Sequence, residues 1–297
     1  MSPATGRRYP LTMICRVWRV ARSSAYAARA EAAPPEGAPL PAVPRRRGPR
    51  SRWGDDEVVA ALQAIVRASP FHTEGHRKLR ARLRAQGITI GARRVLRLAR
   101  THRLLAPTRS GPPHGDRAHA GTITTTRPDE LWGTDGTRFY TRREGWCWFF
   151  GAIDHCVTDI VGWHVAKRGD RWAALEPIRQ GVRATHGGYR PKIAVGLGLR
   201  MDWGPQYTAD QFLGELRWLG IRPSPSFVGE PECNGVMERW IRTLKEECLY
   251  LHDFASLDEA RQAIGEFIER YNQAWLLERH GYRTPVDVRR AFMPLAA

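Results

Sequence analysis

Leu131-Trp-Gly-Thr-Asp-Gly-Thr-Arg-Phe-Tyr140 is the stretch whose reading decides the fold. It reads as a strand, and it carries Asp135 among Trp132, Phe139 and Tyr140. A carboxylate in a mostly buried strand needs a partner or a metal, because an unpaired buried charge is costly. Two further strand-like runs follow at 146–154 and 160–165, with Gly145 and the polar stretch 155–159 as turns, so the three read as an antiparallel meander. Downstream the pattern predicts a helix near 172–185, an apolar strand around 193–201 and a helix near 209–219. A short strand at 221–227 and a helix around Glu238 come next. Strands first, then alternating helix and strand, give a mixed sheet covered by helices, an α/β architecture. A further amphipathic helix is expected over 257–275.

Two more acids stand out beside Asp135. Asp202 closes the apolar strand in Asp202-Trp-Gly-Pro-Gln-Tyr207, at the carboxyl end where α/β sheets place their ligands. Glu238 follows with 35 residues between, in Asn234-Gly-Val-Met-Glu-Arg-Trp-Ile-Arg-Thr-Leu-Lys245. At 100° per residue, Asn234, Arg242 and Lys245 fall within about 40° of Glu238 on the helical wheel. One face thus offers an amide, a carboxylate, a guanidinium and an ammonium, a set suited to a metal ligand flanked by phosphate contacts. Three carboxylates on separate elements can converge on two hard divalent cations, which drive in-line displacement at phosphorus. An ordinary surface helix with ion pairs four apart fits the Glu238 segment alone, and the two aspartates weigh against it. Asp154, Asp159 and Glu246 compete as ligands and read as structural or peripheral.

The charge points to a polyanion. The chain has 297 residues with 47 Lys+Arg and 30 Asp+Glu, a formal net charge of +17. Residues 1–127 hold 25 basic against 7 acidic side chains, and residues 128–297 hold 22 against 23, so all the excess lies in the first part. Basic groups placed on phosphates release counterions, which makes nucleic acid the natural partner. An arginine-rich solvated surface is the bland alternative, since only four of the basic residues are lysine.

Within that basic part, Asp55-Asp-Glu57 forms an acidic helix start. A segment from Gly75 to Ala85 carries Leu79 and Leu83 with Arg77, Lys78, Arg80, Arg82 and Arg84 around them. A third helix at about 90–103 sets Val95 and Leu98 on one face and Arg93, Arg94 and Arg97 largely elsewhere. Short helices with tight turns and basic outer faces suit a helix-turn-helix-like DNA binder, with Arg77, Lys78, Arg93, Arg94 and Arg97 as DNA contacts. A basic spacer without groove contact fits the same composition. The expected organisation is a helical segment 1–31, a Pro/Arg-rich linker 32–52, the basic module 53–105, a linker 106–127, a catalytic core 128–250 and a C-terminal helical extension 251–297.

Other classes are disfavoured. Five cysteines without a Cys-x-x-Cys pair give no disulfide framework and no zinc site for His72 and His76. No apolar run reaches the ~20 residues of a membrane helix. Arg16, Arg19 and Arg22 interrupt what would be the apolar part of an export signal, so a cytoplasmic, nucleoid-associated protein is expected.

The ordered series of motifs resembles the OrfB-type transposases of bacterial insertion sequences that move by a copy-out, paste-in route. These belong to the superfamily of the retroviral integrase catalytic core (DDE). The residues that carry the resemblance are Pro70-Phe-His-Thr-Glu-Gly-His-Arg77, Leu131-Trp-Gly-Thr-Asp135, Asp202-Trp-Gly-Pro-Gln-Tyr207, Asn234-Gly-Val-Met-Glu238, Thr243-Leu-Lys-Glu246, Arg270-Tyr-Asn272 and His280-Gly-Tyr-Arg-Thr-Pro285. The resemblance implies a ribonuclease-H-like fold, with Asp135, Asp202 and Glu238 holding two Mg²⁺ ions (Mn²⁺ substituting). It further implies Lys245 on the terminal DNA backbone, an OrfA partner or OrfA–OrfB fusion, and a homo-oligomer assembled on DNA. The implied reaction is cleavage at the element's ends and transfer of the 3′ end to a target strand. With no leucine heptad run, the chain reads as the catalytic partner alone. Two readings compete: an inactive DNA-binding relic or regulator, and a structure-selective nuclease that hydrolyses without joining.

Overall fold

The computed structural model describes residues 5–31, 51–107, 125–225 and 234–293. The chain forms two compact units, 1–50 and 51–297. In the first, α1 (Leu11–Val17) and α2 (Arg22–Glu31) pack on each other, and Cys15 is buried. The expected linkers fall almost wholly outside the described residues.

In the second unit, β1 (Leu131–Thr141), β2 (Gly145–Asp154), β3 (Ile160–Ala166), β4 (Gly198–Met201) and β5 (Arg222–Pro225) form one sheet, ordered β3-β2-β1-β4-β5. The β1–β2 and β2–β3 pairs are antiparallel; β1–β4 and β4–β5 are parallel. This is the mixed, ribonuclease-H-like sheet that the resemblance implies.

Helices cover both faces. On one side lie α6 (Arg171–His186), α7 (Pro205–Thr208) and α8 (Asp210–Leu219), enclosing Trp132, Phe150, Leu175, Leu199 and Phe212. On the other lie α9 (Gly235–Glu247) and α10 (Leu257–Ala274), enclosing Phe139, Phe149, Met237, Trp240 and Phe267. Fully burying each such side chain stabilises the fold by roughly 1.5–3 kcal/mol. Helix α6 starts at a true cap, where Asp170 accepts from the N–H groups of Trp172 and Ala173 at 3.0 Å each. It reaches the sheet closely because Gly181 leaves room for Trp132, whose ring would stand 2.8 Å from a Cβ there.

Two details depart from expectation. The strand foreseen at 193–201 is confined to β4, because 191–196 turns instead against the end of α8. There the N–H groups of Lys192 and Ala194 donate to the carbonyls of Trp218 (2.8 Å) and Leu219 (2.9 Å). Two short helices, α7 and α11 (Pro285–Arg290), lack a readable apolar period; each begins at a proline that presets the helical φ.

The basic module is α3 (Asp55–Ala68), α4 (His76–Ala85) and α5 (Ala92–Thr101) around Val58, Leu62, Leu79, Leu83, Val95 and Leu98. It packs onto the core. Buried Glu247, at the end of α9, accepts from the backbone N–H groups of His72 (2.8 Å) and Thr73 (2.7 Å) and from the Thr73 hydroxyl. Phe71 meets the Trp275 ring edge-on, with centroids 4.9 Å apart. The C-terminal extension is integral as well, since Phe254, Ile264, Phe267 and Tyr271 belong to the same apolar cluster as Phe149 and Met237.

Candidate active site

β1 lies at the centre of the sheet, between β2 and β4. Its residue Gly133 pairs with Arg200 of β4 in parallel register. Asp135 lies two residues further along β1, within the strand, and Asp202 lies two residues past Arg200, immediately after β4 ends at Met201. Strand alternation puts Asp135 on the same face as Phe139, the face that α9 and α10 cover.

Glu238 enters from that face, in the first turn of α9. The helix is pinned to β1 just before it. Asn234 is buried and donates from Nδ2 to the Thr134 carbonyl at 3.0 Å, beside Asp135. Its oxygen faces His155 Nε2 across the Cα of Gly133. A Cβ built on Gly133 would lie 2.6 Å from that nitrogen and 2.7 Å from that oxygen.

Electrostatics ties the group together. The Asp135 carboxyl is pushed up to about 7, chiefly by burial and further by the negative charges of Asp202 and Glu238. The Gly136 N–H, donating at 2.7 Å, and the Lys245 ammonium oppose the rise. Asp202 is raised by burial. Tyr207 on α7 is wholly buried behind the pair, and their charges help hold its hydroxyl well above its ordinary range.

Among the described residues, no three His, Cys, Asp or Glu side chains already stand as a metal cluster. The donor set nonetheless fits hard cations. A carboxylate held up by burial and by two other carboxylates gains from a divalent ion that neutralises all three. Two of the competing acids are engaged elsewhere: Asp154 accepts from the N–H groups of Asp129 (2.6 Å), Cys156 (2.7 Å) and Val157 (2.9 Å), and Asp159 is paired with Arg289 at 2.5 Å.

The expected DNA contacts divide. Arg242 is exposed and Lys245 half-buried on α9, and Arg93 and Arg97 are exposed on α5. Arg97 and half-buried Arg94 share Asp55, at 2.7 and 2.8 Å, and Arg94 also donates to the Trp53 carbonyl. Arg77 is bound to Glu278 at 2.8 Å. Two expectations are corrected. Asn234 is a buried tie between α9 and β1, because its amide finds the Thr134 carbonyl rather than solvent. Lys78 has a buried ammonium over the Trp275 ring, so it belongs to the joint between module and core. Sequence reasoning passed over His155 and Tyr207. Only their places beside Asp154 and in the Asp202 motif mark them, and neither place signals a packing role.

Comparison with known proteins gives matches to families, to a relative and to solved structures. Two family models described as "Integrase core domain" match residues 125–231 and 219–285, and one described as "HTH-like domain" matches 53–111. The Escherichia coli transposase InsD of insertion element IS2A/D/F/H/I/K is 28% identical over 245 residues, covering 80% of each chain. Among solved structures, a chain of the simian T-cell lymphotropic virus intasome in complex with PP2A regulatory subunit B56 gamma aligns at 17% identity. Its TM-score is 0.49, covering 80% of this chain and 77% of that one. The HTLV-2 integrase catalytic core domain in complex with magnesium aligns at 18% identity and a TM-score of 0.41, covering 55% and 97%. The two integrase-core matches together span 125–285, more than half of the chain. The chain therefore belongs to the integrase-core superfamily, as a DDE-type transposase homologous to InsD of IS2, with an HTH-like domain ahead of its core.

Proposed function

We propose that Asp135, Asp202 and Glu238 are the catalytic carboxylates of this transposase. In this reading it cuts DNA at the ends of an insertion sequence and transfers each 3′ end to a target strand. The observation that carries the reading is the position of Asp135 on β1 and of Asp202 immediately after the adjacent parallel strand β4, with the charges of Asp202 and Glu238 both acting on the Asp135 carboxyl. These three side chains would hold two Mg²⁺ ions, with Mn²⁺ able to substitute. When bound, the ions would supply an activated water or 3′-hydroxyl and stabilise the departing oxygen. Cleavage hydrolyses one phosphodiester; transfer forms a new one to the 3′-oxygen as a target phosphodiester breaks, with no covalent link to the enzyme.

The chain's own groups do the rest. Asp135, half-buried and crowded by like charge, is the ligand with most to gain from a cation. Lys245 and Arg242, on the Glu238 side of α9, would grip the phosphates flanking the scissile bond. The HTH-like module supports binding of the same DNA, with Arg93, Arg97 and Arg100 on the outer face of α5. An OrfA-type partner and a homo-oligomer on DNA complete the proposed assembly. No helix among the described residues is long and apolar enough to cross a membrane, and the proposed place of action is the nucleoid.

Supercoiled plasmid and 3′-hydroxyl oligonucleotides from the element's ends separate the competing readings. The proposal expects divalent-dependent joined product. Nicks without joining would make the chain a nuclease, and DNA binding without any product, even with an OrfA partner added, would make it a non-catalytic binder.

A further inference from the structure

A cavity of about 370 Å³ opens at the seam between the helical module and the core, away from the three carboxylates. Its module wall is α4, which contributes Arg77, Arg80, Arg82 and Arg84. Its core wall is the segment after α10, with Gly281 and Tyr282. Four guanidinium groups around one small cavity repel one another unless carboxylates or an anion offset them.

The carboxylates present offset only half. Arg82 is satisfied by buried Glu74 through two bonds of 2.7 Å. Arg77 donates from one nitrogen to both oxygens of Glu278, at 2.8 and 3.0 Å, and both partners are exposed. Arg80, which lines the cavity, uses Nε on the Ile90 carbonyl at 3.0 Å, and its two terminal nitrogens make no hydrogen bond or ion pair among the described residues. Arg84 is exposed and makes no side-chain hydrogen bond or ion pair among the described residues. Arg77, Arg80 and Arg84 recur at helical spacing and form one stripe along α4. Opposite them, Tyr282 feels the charges of Glu278, Arg77 and Arg80. Its backbone is held at φ 65°, a left-handed conformation that a tyrosine adopts only under constraint and that often marks a binding site.

We propose that this seam cavity binds a backbone phosphodiester of DNA, with Arg80 and Arg84 as its open donors and Glu278 as the internal counter-ion that DNA displaces from Arg77. Planar guanidinium forks match phosphate oxygens bidentately, and an exposed ion pair is easily exchanged. The consequence is mechanical. One wall belongs to the HTH-like module and the other to the core, so a strand seated here is gripped by both, and the distance between the module's DNA site and the carboxylates is set. The inference rests on the reading that the chain acts on DNA.

The test measures affinity of the full chain for a duplex of arbitrary sequence as a function of salt. Arg84→Ala, an exposed change, should weaken binding and flatten the slope of log K against log salt by about 0.9, the share of one phosphate contact. Glu278→Gln should do the reverse, tightening binding because Arg77 is released. Arg80→Ala should act as Arg84→Ala does, with thermal melting to confirm that it folds. Unchanged slopes in Arg84→Ala and Glu278→Gln would overturn the proposal while leaving the functional reading intact. Stabilisation by inorganic phosphate that Arg84→Ala abolishes, with no change in the DNA slope, would make the cavity a free-phosphate site and also overturn it. Failure of the wild type to bind DNA would remove the functional reading and this inference together.

Discussion

The amide of Asn234 donates to the carbonyl of Thr134 at 3.0 Å, one residue before Asp135 and four before Glu238. A single side chain therefore fixes the helix that carries one carboxylate to the strand that carries another. Asn234→Ala should lower divalent-dependent joining about 10–100-fold, the usual cost of losing a group that orients metal ligands. DNA affinity should stay unchanged and the Mg²⁺ requirement should rise. Lost DNA affinity with normal joining per bound complex would return Asn234 to the DNA-contacting set.

Gly133 is a glycine because two side chains meet over its Cα. Gly133→Ala would place a methyl 2.6 Å from His155 Nε2 and 2.7 Å from Asn234 Oδ1. Both rings of contact are buried, so the strain should cost about 1–3 kcal/mol of stability. Urea unfolding measures it; a midpoint equal to that of the wild type would mean that the crowding over Gly133 relaxes freely.

His155 should give the protein an acid-sensitive step. Its imidazole is pushed from 6.5 down to about 4, first by burial and then by the charges of Arg200 and Arg279, with Asn234 opposing. The unfolded chain therefore takes up the proton first as pH falls. The stability carried by neutral His155 is complete above about pH 6.5 and is lost toward pH 4, with a slope of up to ~1.4 kcal/mol per pH unit. His155→Gln should remove this component from the stability profile. A profile unaltered between the two proteins would mean that His155 takes up its proton equally in both states.

Glu247 fastens the module to the far end of the same helix. Glu247→Ala leaves the N–H groups of His72 and Thr73 without their acceptor. The docking should weaken by about 1–3 kcal/mol. Amide exchange at His72 and Thr73 should accelerate while β1 stays protected. Equal protection in the variant would place the joint on Phe71 and Trp275 instead.

Much of this architecture was legible in the sequence. The meander, α6, α8, α9 and α10 carry clear periods or turn signals, and the places of Asp135 within β1 and of Asp202 directly after β4 are readable from their apolar flanks. The short parallel strand β4 was read too long, because an apolar run does not reveal that Lys192 and Ala194 bond to the end of α8 rather than to a strand. The helical wheel groups Asn234 with Glu238, whereas the structure sets Asn234 at the N-cap of α9, just outside the helix. The wheel could not tell that this part of the face turns toward β1 rather than toward solvent. Lys78 differs from expectation for a related reason: its ammonium lies over the ring of Trp275, a residue nearly 200 positions away in the chain. The docking of the module through Glu247 is equally long-range and left no local trace.

The central claim is that Asp135, Asp202 and Glu238 act as one metal-binding catalytic unit. The most direct test is strand joining by the wild type and by Glu238→Gln, in Mg²⁺ and in Mn²⁺, with DNA affinity measured in parallel and an OrfA partner supplied. The account predicts joined product from the wild type, none from the variant, and nearly equal DNA affinity for both. Joining by Glu238→Gln at the wild-type rate would contradict it.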